Sequence, residues 1–216
     1  DGSYNANANL NAGKRVDPEN FYGSPNDHED VESAMLTGKF EHDFSNDLRL
    51  TNITRYGSSS MDRVLTGVNA LTVPASADPA TWTVARTRQK VEQDNTVLVN
   101  QTNLRGHVTT GSVVHSLSGG VEIMSETQFS RTYATSYNVP GSTVSVTIPA
   151  ANLYAPNVND ALPDVLDTGA YNDGKTTTVA AYIFDTAKFG DKWLVSGGLR
   201  IDNFTTTTTG ARRAAA

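Results

Sequence analysis

The sequence predicts an all-β protein, an antiparallel meander of about six long strands in which short turns alternate with long loops. Three observations lead there. Apolar and polar residues alternate with a period of two in several stretches, turn-forming residues separate those stretches, and the connections switch between very short and very long. Short turns fall at Ser45–Asp47, Thr109–Gly111 and Lys188–Lys192, and long polar connections at about 65–85 and 138–172. A transmembrane β-barrel separates its turns on one side of the membrane from its loops on the other in this way.

The first strand is carried by Leu36–Phe44, where Leu36, Gly38, Phe40, His42 and Phe44 share a face against Thr37, Lys39, Glu41 and Asp43. After the turn at Ser45–Asp47 the chain returns through Leu48–Arg63, which holds Leu50, Ile53 and Tyr56. The third strand, Lys90–Val108, alternates poorly and is read as the partner of the fourth. In that fourth strand Val113, His115, Leu117, Gly119, Val121 and Ile123 oppose Val114, Ser116, Ser118, Gly120 and Glu122. Val179–Thr186 is rich in aromatic and β-branched residues, and Phe189–Asp191 turns it into the last strand. There Trp193, Val195, Gly197, Leu199 and Ile201 alternate with Ser196, Gly198, Arg200 and Asp202. Three hairpins result.

A soluble β-sandwich has the same period, and on pattern alone it stays open. The length of the strands, beyond the ~9–11 residues that cross a bilayer obliquely, favours the barrel. So do the charges on the polar faces (Lys39, Glu41, Asp43, Glu122, Arg200, Asp202), which a wet lumen accommodates. Aromatic residues near strand ends, such as Phe40, Phe44, Tyr56, Tyr182, Phe184 and Trp193, suit interfacial girdles.

Bulk composition narrows the function. The 216 residues carry 17 Lys and Arg against 23 Asp and Glu, a net charge of −6, and no basic cluster, which argues against nucleic acid. Cysteine is absent, so disulfides, thiolate metal sites and a cysteine nucleophile are excluded. No run of 18 apolar residues could form a membrane helix, a test that strands escape because only alternate residues meet lipid. No leader-like segment precedes Asp1, so the chain reads as processed or as part of something longer.

Gly169–Thr176 fits the spacing G-x-x-x-x-G-K-[ST] of a phosphate-binding loop. The stretch before it is short and led by Pro163, and Thr176–Val179 after it favours a strand over the helix such a loop needs. A glycine-rich loop end entering a strand is the better account. His28, His42, His107 and His115 show no metal-ligand spacing, and the acidic run around His28 reads as a solvated loop. No nucleophile is placed beside a base, so no catalysis is expected.

Lys39–Phe44, a turn, Leu48–Asn52 and Arg55–Gly57 together resemble a hairpin of TonB-dependent siderophore receptors. Val114–Leu117 running into Gly120–Glu122 is similar, as is Ala181–Thr186 followed by Trp193 and Gly198–Asp202. Val16–Gly23 resembles the segment before that first hairpin in the catecholate-type receptors, and the resemblance runs in family order from about Val16 to Phe204.

The resemblance implies a bacterial outer-membrane location, lipid around the barrel, a ferric siderophore as ligand and no cofactor. It also implies a plug domain, through which TonB supplies energy, and about 22 strands in a whole barrel. Neither a plug nor a TonB-contacting segment is found here, so the chain reads as a mid-barrel piece. Residues 1–30 are then an outer loop, 31–207 a partial barrel of three hairpins, and 208–216 an unstructured tail. Receptors of this type catch bulky anionic, aromatic complexes with arginines for charge and rings for stacking. That implies ligand-binding roles for Arg63, Trp82, Arg86, Arg131 and Tyr133, with Arg86 and Arg88 alternatively paired to Glu92 or Asp94. A passive porin-like or adhesin barrel is the alternative, and a soluble nucleotide-binding protein a further one.

Overall fold

A computed structural model describes residues 15–74, 78–139 and 145–211. Six long strands make one antiparallel sheet: β1 (His28–Ser45), β2 (Leu48–Thr72), β3 (Thr83–Thr110), β4 (Val113–Ala134), and, after three two-residue strands, β8 (Leu166–Phe189) and β9 (Trp193–Ala211). The short ones are β5 (Tyr137–Asn138), β6 (Ser145–Val146) and β7 (Ala151–Asn152). The sheet order is β1-β2-β3-β4-β8-β9, with β7 added to β3 and a separate β5-β6 pair. Among the described residues β1 and β9 are the edges, so the meander is an open stretch of barrel wall.

Every long strand outruns the stretch the sequence pattern marks. β2 has 25 residues, β3 28 and β8 24, more than twice the ~9–11 that cross a bilayer. The connection expected at 65–85 therefore shrinks to 73–82, and the one at 138–172 becomes 135–165. β1 begins at His28, and Thr208–Gly210 belong to β9; residues 1–14 and 212–216 lie outside the described part. The hidden length has a simple origin. Alternation is visible only where the two sides of a strand meet different media, and beyond that stretch both sides are polar.

Turn chemistry sets the register. Gly111, at φ 61°, leads the two-residue β3–β4 turn, and Gly190, at φ 58°, opens the β8–β9 turn; both take the left-handed conformation that favours glycine. From these turns the ladders run without a break from Thr110 opposite Val113 to Gln93 opposite Ser130, and from Phe189 opposite Trp193 to Tyr171 opposite Ala211. Directly paired residues share a side of the sheet, so the register sorts every strand into two sides.

One side, close to the short turns, is apolar. It collects Leu36, Phe40, Leu50, Tyr56, Leu98, Leu104, Leu117, Val121, Ile123, Val179, Ile183, Leu199 and Ile201. No described residue covers it: Leu199 and Ile201 are each 75 % exposed. Among the polar residues that interrupt this side, four bond to one another. Asn52 and Asn100 exchange amide hydrogen bonds at 3.2 Å in both directions, Asn52 donates to Thr102 at 2.8 Å, and Asn100 donates to Thr54 at 2.7 Å.

At the far end, away from the short turns, lies the only hydrophobic core among the described residues. Trp82, fully buried, packs with Val84, Ala151 and Leu153, flanked by Val16, Tyr22, Leu71, Val73 and Tyr154. β7 pairs with β3 there, beyond the last β3–β4 pair. Two buried arginines fasten the flanking segments. Arg86 donates to the Pro149 carbonyl at 2.9 Å, the Tyr22 carbonyl at 3.3 Å and Asp160 at 3.0 Å. Arg88 donates to Asp27, which in turn accepts from the Thr66 backbone and hydroxyl.

Candidate functional site

The polar side of the sheet is the candidate site. Near the short turns it carries a lattice of paired charges. Lys39 lies 3.1 Å from Glu41, and Arg49 grips Asp43 with two nitrogens, one of them 2.8 Å from Oδ2. Across the sheet Arg200 donates to Glu122 at 2.8 Å and to Asp202 at 2.7 Å, and its guanidinium lies 5.8 Å from the Tyr182 ring centre. The Tyr182 hydroxyl accepts from Gln101 and Asn103, each at 3.1 Å. Glycine makes that pose possible: a Cβ at Gly120 would come 2.6 Å from the Tyr182 hydroxyl and 2.5 Å from the Thr102 carbonyl.

Further from the turns the same side carries fewer charges. A groove of about 790 Å³ is lined by Ser33, Ser59, Asn95, Gln128, Thr176 and Thr206 among others, with Glu126 as its one acidic residue. The lining draws on all six long strands, from β1 to β9, so the sheet curls toward its polar side. A concave, wet, hydroxyl-rich wall follows, flanked at its turn-side end by ion pairs. Among the described residues no group of three or more His, Asp or Glu side chains is placed to hold a metal.

The five residues expected to bind ligand do not come together. Trp82 is enclosed in the far-end core, and Arg86, 4 % exposed, is spent on Pro149, Tyr22 and Asp160. Arg86 and Arg88 therefore pair with Asp160 and Asp27, in place of Glu92 or Asp94. Arg131 and Tyr133 lie on the side that carries the apolar residues, beyond the apolar stretch. There Arg131 donates to Glu92 at 3.0 Å, and Tyr133 donates to the other oxygen of the same carboxylate. Burial, and then the Glu92 hydrogen bond, hold the Tyr133 phenol well above the usual tyrosine range, so it remains a donor. Lys90 completes the cluster, 2.6 Å from Asp62 and 5.3 Å from the Tyr133 ring centre.

Arg63 differs from the other four. The register puts it on the polar side at the far end of β2, opposite Glu29 and Val91, and it makes no ion pair among the described residues. Its Nε is buried without an acceptor. Sequence reasoning singled out Arg63 but missed the buried role of Trp82 and Arg86. The carboxylates that bind Arg86 and Arg88 lie 74 and 61 residues away, a separation no local pattern reports.

The phosphate-loop match dissolves in the fold. Gly169, at φ 70°, sits where the β4–β8 register shifts between Thr132 and Tyr133, and Gly174–Thr176 lie within β8 opposite Gln128, Thr127 and Glu126. No helix follows to present backbone amides to a phosphate.

Comparison with known proteins completes the description. The family model described as TonB dependent receptor-like, beta-barrel matches residues 1–215. The catecholate siderophore receptor Fiu of Escherichia coli (strain K12) is 36 % identical over 203 residues, covering 92 % of this chain and 25 % of that protein. The open-form crystal structure of the ferric-catecholate import receptor Fiu from E. coli K12 superposes with a TM-score of 0.85 at 32 % identity, over 97 % of this chain and 31 % of that one. Its closed form gives 0.82 at 33 % identity, over 94 % and 28 %. The chain thus spans about a quarter of the length of the curated relatives it matches.

Proposed function

Because the chain belongs to the TonB-dependent receptor β-barrel family, we propose that it forms part of the wall of an outer-membrane receptor that takes up ferric siderophores of the catecholate class. The apolar side near the short turns faces lipid, the polar side faces the lumen, and the far halves of the strands rise above the membrane. Energy for uptake comes from TonB through a plug domain elsewhere in the polypeptide. The chain's part is to bind and guide, with no bond made or broken.

The observation that carries this reading is the sorting of the two sides. One side is apolar and uncovered over the stretch near the short turns, and the other carries paired charges at the same height. Arg63 on the lumen side is the contact we assign to the anionic complex. Trp82 and Arg86 serve the far-end core, and Arg131 and Tyr133 face outward. The similarity to siderophore receptors favours this reading over a passive pore. The nucleotide reading fails on the strand that occupies Gly174–Thr176.

The test is ferric tris-catecholate binding to the full-length receptor. Arg63→Gln removes a charge-assisted contact and is expected to weaken binding by about tenfold or more. Arg131→Gln, on the outward side, is expected to move it less than about twofold. Equal losses at the two positions would sink the assignment of Arg63.

A further inference from the structure

Beyond the apolar stretch, on the same side of the sheet, two segments distant in sequence are fastened to the wall. Val84, Arg86 and Arg88 of β3 fall on that side by register, opposite Leu71, Val68 and Thr66 of β2. Residues 20–27, which lead into β1, and residues 149–162, from the connection between β4 and β8, bond to this patch and to each other. Each segment has its own buried arginine. Arg88 holds Asp27, and Arg86 holds Asp160 at 3.0 Å and the Pro149 carbonyl at 2.9 Å.

The two anchors are joined. Ser24, itself buried, donates its hydroxyl to the Asp160 carbonyl at 2.8 Å and accepts from the Leu162 amide at 3.1 Å. Its own backbone amide donates to Asp27 at 3.1 Å. Asn26 donates to the Leu162 carbonyl at 3.3 Å, and Asn20 and Tyr22 both donate to the Leu153 carbonyl, at 3.2 and 2.5 Å. A polar path thus runs from Arg86 through Asp160, Ser24 and Asp27 to Arg88, with the Trp82 core beside it. Every partner on that path belongs to this chain.

We propose that this clasp makes residues 149–162 a fixed bracket on the outer wall of the barrel, one that stays shut while ligand is bound and taken up. The proposal rests on the receptor reading above and adds to it a part of a long connection that does not move. Opening the clasp would strip two buried guanidinium groups of their carboxylates at once and expose the core around Trp82. Long connections are where a barrel has freedom to rearrange. In this one the bracket is turned to the side away from the lumen. Ser24 is the pin, because its hydroxyl serves the long connection while its amide serves the anchor of the entry segment.

The experiment locks the bracket in the full-length receptor with Thr83→Cys and Asn152→Cys. The Leu153 amide donates to the Trp82 carbonyl at 2.9 Å, so Thr83 and Asn152 are the adjacent pair without mutual hydrogen bonds. Their Cα atoms are then about 4.5 Å apart, within reach of a disulfide. Radio-iron uptake from ferric tris-catecholate is compared between the oxidised and reduced forms of this variant, and the two rates are expected to agree within about twofold. In the parent, the amides of Leu153 and Leu162 should exchange equally slowly with and without the complex. Ser24→Ala should speed exchange at both amides about tenfold or more. Uptake several-fold slower in the locked form overturns the bracket, as does a cysteine pair that will not close in the folded receptor. Loss of protection at Leu153 and Leu162 on adding ligand overturns it too, without recourse to cysteine. Faster exchange at Leu162 alone in Ser24→Ala overturns the joining of the two anchors. A parent receptor that takes up no ferric tris-catecholate overturns the receptor reading together with the bracket.

Discussion

Near the short turns Leu199 and Ile201 stand bare on one side of the sheet, while Arg200 between them is tied to Glu122 and Asp202 on the other. At the far end of the meander Trp82 is sealed, and Arg86 and Arg88 are buried among loop segments. The near half has almost no interior of its own: an apolar side lies uncovered opposite a side of paired charges. The far half builds a small core of its own and covers it. An arginine signals an open charged surface in the first region and a hidden fastener in the second.

The comparison breaks first where the far half is hollowed. Trp82→Ala removes the centre of its core and is expected to cost about 3–5 kcal/mol locally. The readout is hydrogen exchange: β7, the start of β3 around Val84 and the end of β2 around Leu71 should lose protection, while Ile183 and Leu199 keep theirs. Loss spreading evenly to the near half would show that the two regions are one cooperative unit.

In the near half the matching change is a charge on the lipid-facing side. Leu199→Arg is expected to cost about 2–4 kcal/mol in folding equilibria of the receptor in bilayers. Thr207→Arg lies on the same side of the same strand beyond the apolar stretch and should cost no more than about 1 kcal/mol. Similar costs at the two positions would mean that the apolar band is misplaced.

The smallest expected effect sharpens the lumen side. Gly120→Ala pushes a methyl against Tyr182, whose ring cannot keep its place over the glycine, at about 1–3 kcal/mol. The shift is read from tyrosine fluorescence and receptor melting, and Gly119→Ala, whose new Cβ would meet no atom closer than 3.4 Å, serves as the reference.

Much of the near half could be read from residue order, because Leu36–Phe44 and Trp193–Ile201 separate the apolar side from the polar side cleanly. Lys90–Val108 could not, and the reason is specific. Val97 and Val99 fall on its polar side while Asn100 and Thr102 fall on its apolar side, where they bond to Asn52 and Thr54. Cross-strand partners 48 and 50 residues away make that placement tolerable. The far half was hidden for a different reason: with polar surroundings on both sides the two-residue rhythm fades, and the strands looked like loops. Trp82 and Arg86 read as ligand contacts because burial cannot be seen in residue type. Arg63 lies on the polar side, a position that follows from β2 pairing, which the turn at Ser45–Asp47 anchors.

The amide pair of Asn52 and Asn100 carries a consequence for how this protein can change over generations. Each amide is the other's partner inside the apolar band, so replacing one alone leaves the other only threonine hydroxyls as side-chain partners. Replacing both by leucine removes the need along with the bond and can come close to neutral. The two positions are therefore inherited as a unit: lineages are expected to hold both amides or neither, with the half-changed intermediates purged.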